Sequence, residues 1–372
     1  MRIALIIERF TPTGGVERAA WQVAEGLADA GDQVHVFARE AVENPKVNLH
    51  PLKIPFNWHP LRVSAFSRES SRAAPRSHFD AVQTFSRTRH QDIFRAGGGS
   101  HAAYLERSFK GVPLAVRWLS PRHRLLLRIE KEVFSDPSQI VICNSAMVAR
   151  EVSERYGIGP DRCRLILNGV DPKKFHPEKR SDARKNFNLN SQETMWLFLG
   201  HGFERKGLRT ALEALALSKN QESSLWVAGK DSTSSWKVLV NRLGLTKRVK
   251  FLGSRKDSDK LLAASDGLIL PTKYDAFANV TLEAAASGCP VLTSKSNGGA
   301  EWLGEAGLTL EDPTDSKSFA NGLDTLSDPR YREKLRVAGR ERAEKASWEH
   351  HITALRSLYK EVALRKHEMF SK

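Results

Sequence analysis

The sequence predicts an α/β protein made of two doubly wound domains, and three observations lead there. Short β-branched or aliphatic runs alternate with helical patterns along nearly the whole chain, the alternation falls into two successive series, and a turn-rich segment separates them. At 372 residues the chain is too long for one ordinary core and fits two domains of common size.

The first series contains "IALII", "VHVFA", "AVQTF", "QIVICNS" and "CRLILNG", the first four each followed by a stretch that fits a helix. The second contains "MWLFLG", "SLWVAG", "VKFLG", "GLILP" and "PVLTS". Runs of this kind separated by helices form parallel sheets covered on both faces. The junction falls near "NGVDPKKFHPEK", Asn168 to Lys179, where Gly169, Pro172 and Pro177 make a linker. The domains are then 1–170 and 171–347. Beyond them Trp348, Ile352, Leu355, Leu358 and Val362 recur at helical spacing and mark an amphipathic helix over 348–366. That helix has to bury its apolar face on a domain, and packing back on the first is one arrangement the pattern allows.

Composition narrows the function classes. With 40% hydrophobic and 27% charged residues the chain is globular and gives no sign of long disorder. No apolar run approaches the roughly 20 residues that span a bilayer. The opening "RIALII" ends at Glu8 and reads as a buried strand rather than a signal peptide, so the expected location is the cytoplasm. Cys143, Cys163 and Cys289 are odd in number and lack a CxxC pair, which suits reduced structural thiols and no metal site. The net charge of +15 asks for an anionic partner: nucleic acid, acidic lipid or a phosphorylated small molecule. The most basic stretch runs from Arg62 to Lys131, with 14 Lys and Arg against 5 Asp and Glu. A solvated surface explains such a stretch equally well. No nucleic-acid-binding module is recognisable, so nucleic acid is not the expected partner.

Two glycine turns come next. In "RIALIIERFTPTGGVERAAWQVAEGLADAG" a strand, a loop with Gly14 and Gly15, and a helix follow one another. Glycine lets backbone N–H groups approach a ligand, and the helix start supplies partial positive charge for a phosphate or a sugar hydroxyl. The loop is not GxGxxG, which speaks against a dinucleotide site; alone it is as readily a plain tight turn. "WLFLGHGFERKGLRTALEALAL" repeats the logic: a strand ends at Gly200, and Arg205-Lys206-Gly207 leads into a helix. An Arg fork and a Lys point charge together grip a diphosphate, and open α/β sheets bind ligands at this end of their strands, which favours that reading over a solvated Arg-Lys pair.

"PTKYDAFANVTLEAAASGCP", Pro271 to Pro290, holds two carboxylates with seven residues between them. "GLILP" is a buried strand and "TKYDAFAN" a loop, with Asn279 as N-cap of a helix from Val280 to Ala286 and Gly288 as its stop. Asp275 lies on the loop and Glu283 about one turn into the helix. A helix N-terminus flanked by carboxylates suits a nucleotide-sugar, with the diphosphate at the helix tip and sugar or ribose hydroxyls on the carboxylates. Taken alone, a capped helix with a Glu near its positive end accounts for the pattern.

Together these residues resemble glycosyltransferase family 4, the retaining enzymes of the GT-B fold. "GGVER" at Gly14 to Arg18, "NGVD" at Asn168 to Asp171, "GHGFERKG", Asp275-x7-Glu283 and "SNGGAEWL" all fall in family order. The likeness covers nearly the whole chain. Within the family it looks most like the lipopolysaccharide core glucosyltransferases, partly through "DIFRAGGGSHAAYLERS", Asp92 to Ser108. The resemblance implies two Rossmann-like domains facing a cleft, the first binding acceptor and the second the nucleotide-sugar. It implies that Arg205 and Lys206 hold the donor diphosphate, Glu283 accepts from the ribose and Asp275 contacts hydroxyls of the transferred sugar. The backbone around Phe277, Ala278, Asn279 and Val280, with Gly14 and Gly15, completes the cradle, and His101 stands near the donor sugar's 6-hydroxyl. The family usually has Glu where this chain has Asp275, so the reach toward the sugar is about one methylene shorter.

The reaction so implied moves a hexose, glucose from UDP-glucose, onto the heptose region of a lipid-linked lipopolysaccharide core with retention of configuration. No cofactor and no metal are expected, because Arg205 and Lys206 stand in for a cation. "AYLERSFKGVPLAVRWLSPRHRLLLRIEKEVF", Ala103 to Phe134, interleaves basic with aromatic and aliphatic residues. It suits peripheral docking on the anionic inner face of the cytoplasmic membrane, or else a core helix with a snorkelling basic face. The alternatives are another family 4 hexosyl- or N-acetylhexosaminyltransferase of surface polysaccharide synthesis, or a GT-B sugar-nucleotide epimerase. A requirement for added acceptor separates a transferase from the epimerase.

Overall fold

The computed structural model describes residues 1–108 and 120–370. It divides into two compact units, Met1–Asn168 with Trp348–Lys372, and Gly169–Ser347.

The first unit is built on a seven-stranded parallel sheet. Its strands are β1 (Arg2–Phe10), β2 (Gln33–Ala41), β3 (Asn48–Pro51), β4 (Ala81–Thr84), β5 (Ile93–Arg95), β6 (Ile140–Cys143) and β7 (Cys163–Leu165), in the order β3-β2-β1-β4-β5-β6-β7. Its helices are α1 (Val16–Asp29), α2 (His59–Ala73), α3 (His101–Ser108), α4 (Pro121–Ser135) and α5 (Ala146–Tyr156). The register pairs Leu5 with Val36 on one side and Gln83 on the other. β3 and β5 escaped the sequence pattern because "NLHP" and "IFR" are too short to show a period.

The second unit carries a six-stranded parallel sheet. Its strands are β8 (Met195–Leu199), β9 (Ser224–Ala228), β10 (Val249–Gly253), β11 (Gly267–Leu270), β12 (Val291–Ser294) and β13 (Leu308–Leu310), in the order β10-β9-β8-β11-β12-β13. Around it lie α6 (Arg180–Asn186), α7 (Phe203–Lys206), α8 (Leu208–Leu217), α9 (Ser234–Arg242), α10 (Ser258–Ala264), α11 (Asn279–Ala286), α12 (Gly299–Leu303), α13 (Ser316–Ser327) and α14 (Pro329–Glu344). Strand order reverses between β1 and β4 in the first sheet and between β8 and β11 in the second. Loops leaving the carboxyl ends of such neighbours diverge and open a crevice, the usual ligand position in open α/β sheets.

The last helix, α15 (Trp348–Phe370), returns to the first unit. Ile352, Leu355, Leu358, Tyr359 and Val362 join the core made by β1, β2 and α1. Tyr359 donates its buried hydroxyl to Gln83 Oε1 at 2.8 Å. Arg356 pairs with the buried Asp32 at 2.8 Å. Each such buried apolar side chain contributes about 1.5–3 kcal/mol, so five of them anchor this return firmly. Cys143 and Cys163 lie on neighbouring strands as free thiols, their sulfurs 3.6 Å apart.

Of the basic stretch 103–134, residues 109–119, including Trp118, lie outside the described residues. The described α4 buries Leu126, Ile129, Glu130, Val133 and Phe134. It turns Arg122, Arg124, Arg128 and Lys131 to solvent. This part is a core helix with a basic outer face.

Candidate functional site

Three of the sequence-predicted residues meet at the switch point of the second sheet. α7 follows β8 directly and places Arg205 and Lys206 at its last turn. The loop after β11 supplies Asp275. Lys206 Nζ lies 2.6 Å from Asp275 Oδ2, and Arg205 Nη1 donates to the same oxygen at 2.8 Å and to the Tyr274 carbonyl at 2.7 Å. Lys206 is buried and Asp275 nearly so. Burial pushes the Asp275 carboxyl up, but Lys206 and Arg205 outweigh it and hold the group at about 2. The Lys206 ammonium is itself pulled below its ordinary range by burial, against the opposing pull of Asp275. The Asp275 carboxyl is therefore ionised at neutral pH.

Glycine makes the approach possible. Gly207 has φ +82°, and a Cβ on it would fall 1.9 Å from the Pro271 carbonyl oxygen. Only a residue without a side chain lets the turn after α7 lie against the end of β11. Lys273 N and Thr272 Oγ1 then donate to the Arg205 carbonyl at 2.8 and 3.3 Å, locking the two loops together. The other end of α7 is held by Asp231, whose carboxylate accepts from Gly202 N at 2.9 Å and Phe203 N at 2.8 Å.

The Asp275 loop runs into α11. Asn279 is the first helical residue rather than the expected cap: Ala278 occupies the cap position and has no side chain that can cap. The capping work passes to Asn297, from the loop after β12. Its Oδ1 accepts from Ala278 N at 3.2 Å and Gly299 N at 3.0 Å, while its Nδ2 donates to Thr281 Oγ1 at 2.9 Å and Thr293 Oγ1 at 3.2 Å. A fully buried amide thus uses every donor and acceptor. Phe277 and Ala278 are buried, Asn279 and Val280 half-buried, and Glu283 stands half-buried one turn into the helix. The local set is two cations, a carboxylate and the positive end of a helix.

A cavity of about 1090 Å³ runs along β10 from its amino end to the loop after β9, lined by Lys230, Asp231, Thr233, Thr246, Lys250 and Phe251 among others. Sequence reasoning missed Asp231 and Asn297. The signals were present, a Gly-Lys-Asp after a strand end and the Asn of "SNGG", but neither is distinctive without its partners.

Gly14, Gly15 and His101 belong to the other unit. Gly14 takes φ +104°, and Gly15 caps the exposed start of α1 without a side chain. His101 begins α3 and is buried; burial, then Arg87, depresses it to about 4, so its imidazole is neutral at pH 7. Its Nε2 lies 3.1 Å from His123 Nδ1, and its backbone N–H donates to Glu130. Glu130 is fully buried and also accepts from Ser100 Oγ at 2.9 Å, Arg87 Nη1 at 3.0 Å, Ala102 N at 3.2 Å and the Tyr156 hydroxyl at 2.7 Å. Burial would raise its pKa, but Arg87 and these donors keep it below the usual carboxylate range. The sequence carried one hint of this hub. Glu130 falls on the apolar stripe Leu126, Ile129, Val133, where a solvated Glu has no reason to be.

Two parallel-sheet α/β domains in succession are the architecture of the GT-B fold. The family model "Glycosyltransferase Family 4" matches residues 13–174 and "Glycosyl transferases group 1" matches 179–343, and the chain belongs to the glycosyltransferases built from these two domains. Among curated relatives, the lipopolysaccharide glucosyltransferase WaaG of Escherichia coli (strain K12) is 25% identical over 329 residues, 84% of this chain and 86% of its own. The D-inositol 3-phosphate glycosyltransferase of Rhodococcus jostii (strain RHA1) is 29% identical over 379 residues, 93% of this chain and 80% of its own. The crystal structure of WaaG superposes with a TM-score of 0.83 at 23% identity, covering 97% of this chain and 98% of that one. That of Anabaena HepE with UDP-glucose gives 0.73 at 16% identity, covering 96% and 99%. At these identities the structures establish the fold. Among the described residues, no helix is long and apolar enough to cross a membrane.

Proposed function

We propose that the chain transfers a hexose, glucose from UDP-glucose, to the heptose region of a lipid-linked lipopolysaccharide core, with retention of configuration and without a metal. The observation that carries this reading is the convergence of Lys206 and Arg205 on Asp275 at the β8/β11 switch point. A donor diphosphate competes with the carboxylate for these cations. When it takes them, Asp275 is released to accept a hydroxyl of the sugar, so donor binding and sugar orientation are one exchange.

The cavity beside β9 and β10 takes the nucleoside, Glu283 accepts from its ribose, and the positive end of α11 faces the phosphates. His101, neutral, offers its ring to a hydroxyl of a bound sugar. As the glycosidic bond breaks, charge grows on the departing diphosphate, where Lys206 and Arg205 stabilise it. The acceptor hydroxyl attacks from the same face and passes its proton to that phosphate. The WaaG relationship supports the core acceptor, and the basic outer face of α4 supports docking on the anionic inner face of the cytoplasmic membrane.

The test incubates the protein in EDTA with UDP-, ADP- and GDP-sugars and heptose-bearing lipid core, following nucleoside diphosphate release and acceptor mass. One hexose gained from a single donor, and lost in Glu283→Ala and Lys206→Ala, supports the reading. Turnover of a donor without acceptor into an epimerised sugar refutes it.

A further inference from the structure

One carboxylate of the second unit faces two ways. Asp231, half-buried in the loop after β9, lines the cavity that runs along β10. The same carboxylate accepts from Gly202 N at 2.9 Å and Phe203 N at 2.8 Å at the start of α7. We propose that Asp231 is a positioning residue that couples nucleoside binding in this cavity to the diphosphate grip of Lys206. The inference rests on the transferase reading and deepens it.

The coupling route is a single peptide unit, the one between Gly202 and Phe203. Its N–H is that of Phe203, which donates to Asp231 Oδ2. Its carbonyl is that of Gly202, which accepts from Lys206 N at 2.9 Å. A peptide is planar, so holding its N–H sets the direction of its carbonyl, and hydrogen bonds at its two ends polarise one another. Gly202 sits at φ +76° and, as glycine, does little to hold that orientation by itself. The two bonds to Asp231 supply the hold, and Lys206 hangs on the far end of it.

The rest of the loop is tied to the same place. Lys230 N donates to His201 Nδ1 at 3.1 Å and Gly229 N to the Gly253 carbonyl at 2.9 Å, which joins the ends of β8, β9 and β10. A Cβ on Gly229 would lie 2.1 Å from the Gly200 carbonyl oxygen and 2.5 Å from the Phe203 ring. A carboxylate has about four lone-pair positions, and two N–H groups leave acceptor positions for an N–H or O–H of the nucleoside. A nucleoside bonded there stops the carboxylate from turning, so the diphosphate meets Lys206 already in place and does not bear that ordering cost again. By linkage the diphosphate strengthens nucleoside binding by the same factor.

The experiment first finds, by calorimetry on the full chain, which of UDP, ADP and GDP binds tightest. Its two parts, the nucleoside and inorganic pyrophosphate, are then titrated, each alone and with the other saturating, in the parent, Asp231→Asn and Gly229→Ala. Melting temperatures are taken on the same samples. In the parent each part should strengthen the other at least about fivefold. A carboxamide has one acceptor oxygen and cannot serve both N–H groups as the carboxylate does, so in Asp231→Asn the factor should drop to about one with both parts still bound. Gly229→Ala keeps the carboxylate but parts the loops, and should lose the coupling too. A merely structural role lowers the melting temperature and weakens each part, yet leaves their mutual factor unchanged. No coupling in the parent, or coupling kept in a folded Asp231→Asn, overturns the inference. If that variant does not fold, coupling kept in Gly229→Ala overturns it instead. A nucleoside diphosphate bound without coupling between its parts sinks this inference alone, whereas binding of none of the three sinks the transferase reading.

Discussion

Replacing Asp275 by Asn separates binding from transfer. The carboxylate sits 2.6 Å from Lys206 Nζ and 2.8 Å from Arg205 Nη1, so its loss leaves two cations uncompensated, one of them buried. Breaking a buried pair from one side costs about 3–5 kcal/mol. The Arg205 side chain is 34% exposed and keeps the Tyr274 carbonyl, which places the expected loss at the lower end, about 3 kcal/mol. A ligand diphosphate no longer has to displace the carboxylate. UDP should therefore bind at least about tenfold tighter, 1.4 kcal/mol, and should raise the variant's melting temperature more than the parent's. Transfer should nevertheless fall by roughly 10- to 100-fold, the worth of one charged hydrogen bond to the sugar. Calorimetry with UDP, thermal melts with and without UDP, and transfer kinetics read the three effects. Acid gives a fourth: the parent's carboxyl is shifted from 3.8 to about 2. A depressed carboxylate stabilises the fold above its unfolded pKa and loses that contribution, roughly 2–3 kcal/mol, as pH falls from about 4 toward 2. The stability gap between parent and Asn variant should close over that window. A folded variant that loses UDP affinity together with transfer would refute the exchange.

Gly207→Ala puts a methyl group against the Pro271 carbonyl at a positive φ, so the loops must part. Transfer should drop by at least tenfold, with the melting temperature lowered in the same melts. Asn297→Ala removes four hydrogen bonds from a buried amide and should cost about 2–4 kcal/mol by urea unfolding, with a raised KM for the donor. Leu355→Ala opens a cavity under α15 and should cost about 2–5 kcal/mol, leaving UDP affinity unchanged because the helix packs on the other unit.

What could be read from the linear chain were features whose physics is local. Two series of strand and helix patterns, Gly207 after Arg205-Lys206, and Asp275-x7-Glu283 all depend on neighbours within a few residues, and the period of burial shows through. The helix at 348–366 was legible for the same reason, though its docking place was not. Tertiary structure decided the rest. Lys206 and Asp275 are 69 residues apart, and they touch because the sheet order sets β8 beside β11. Glu130, His59, His101 and His123 come from three helices and read as ordinary residues until β4, β5 and α4 bring them together. Asn297 reaches the cap position, Ala278 rather than the expected Asn279, from 19 residues away. Strand order and register are fixed by the summed burial of both faces of a sheet, a non-local quantity that no short window of sequence contains.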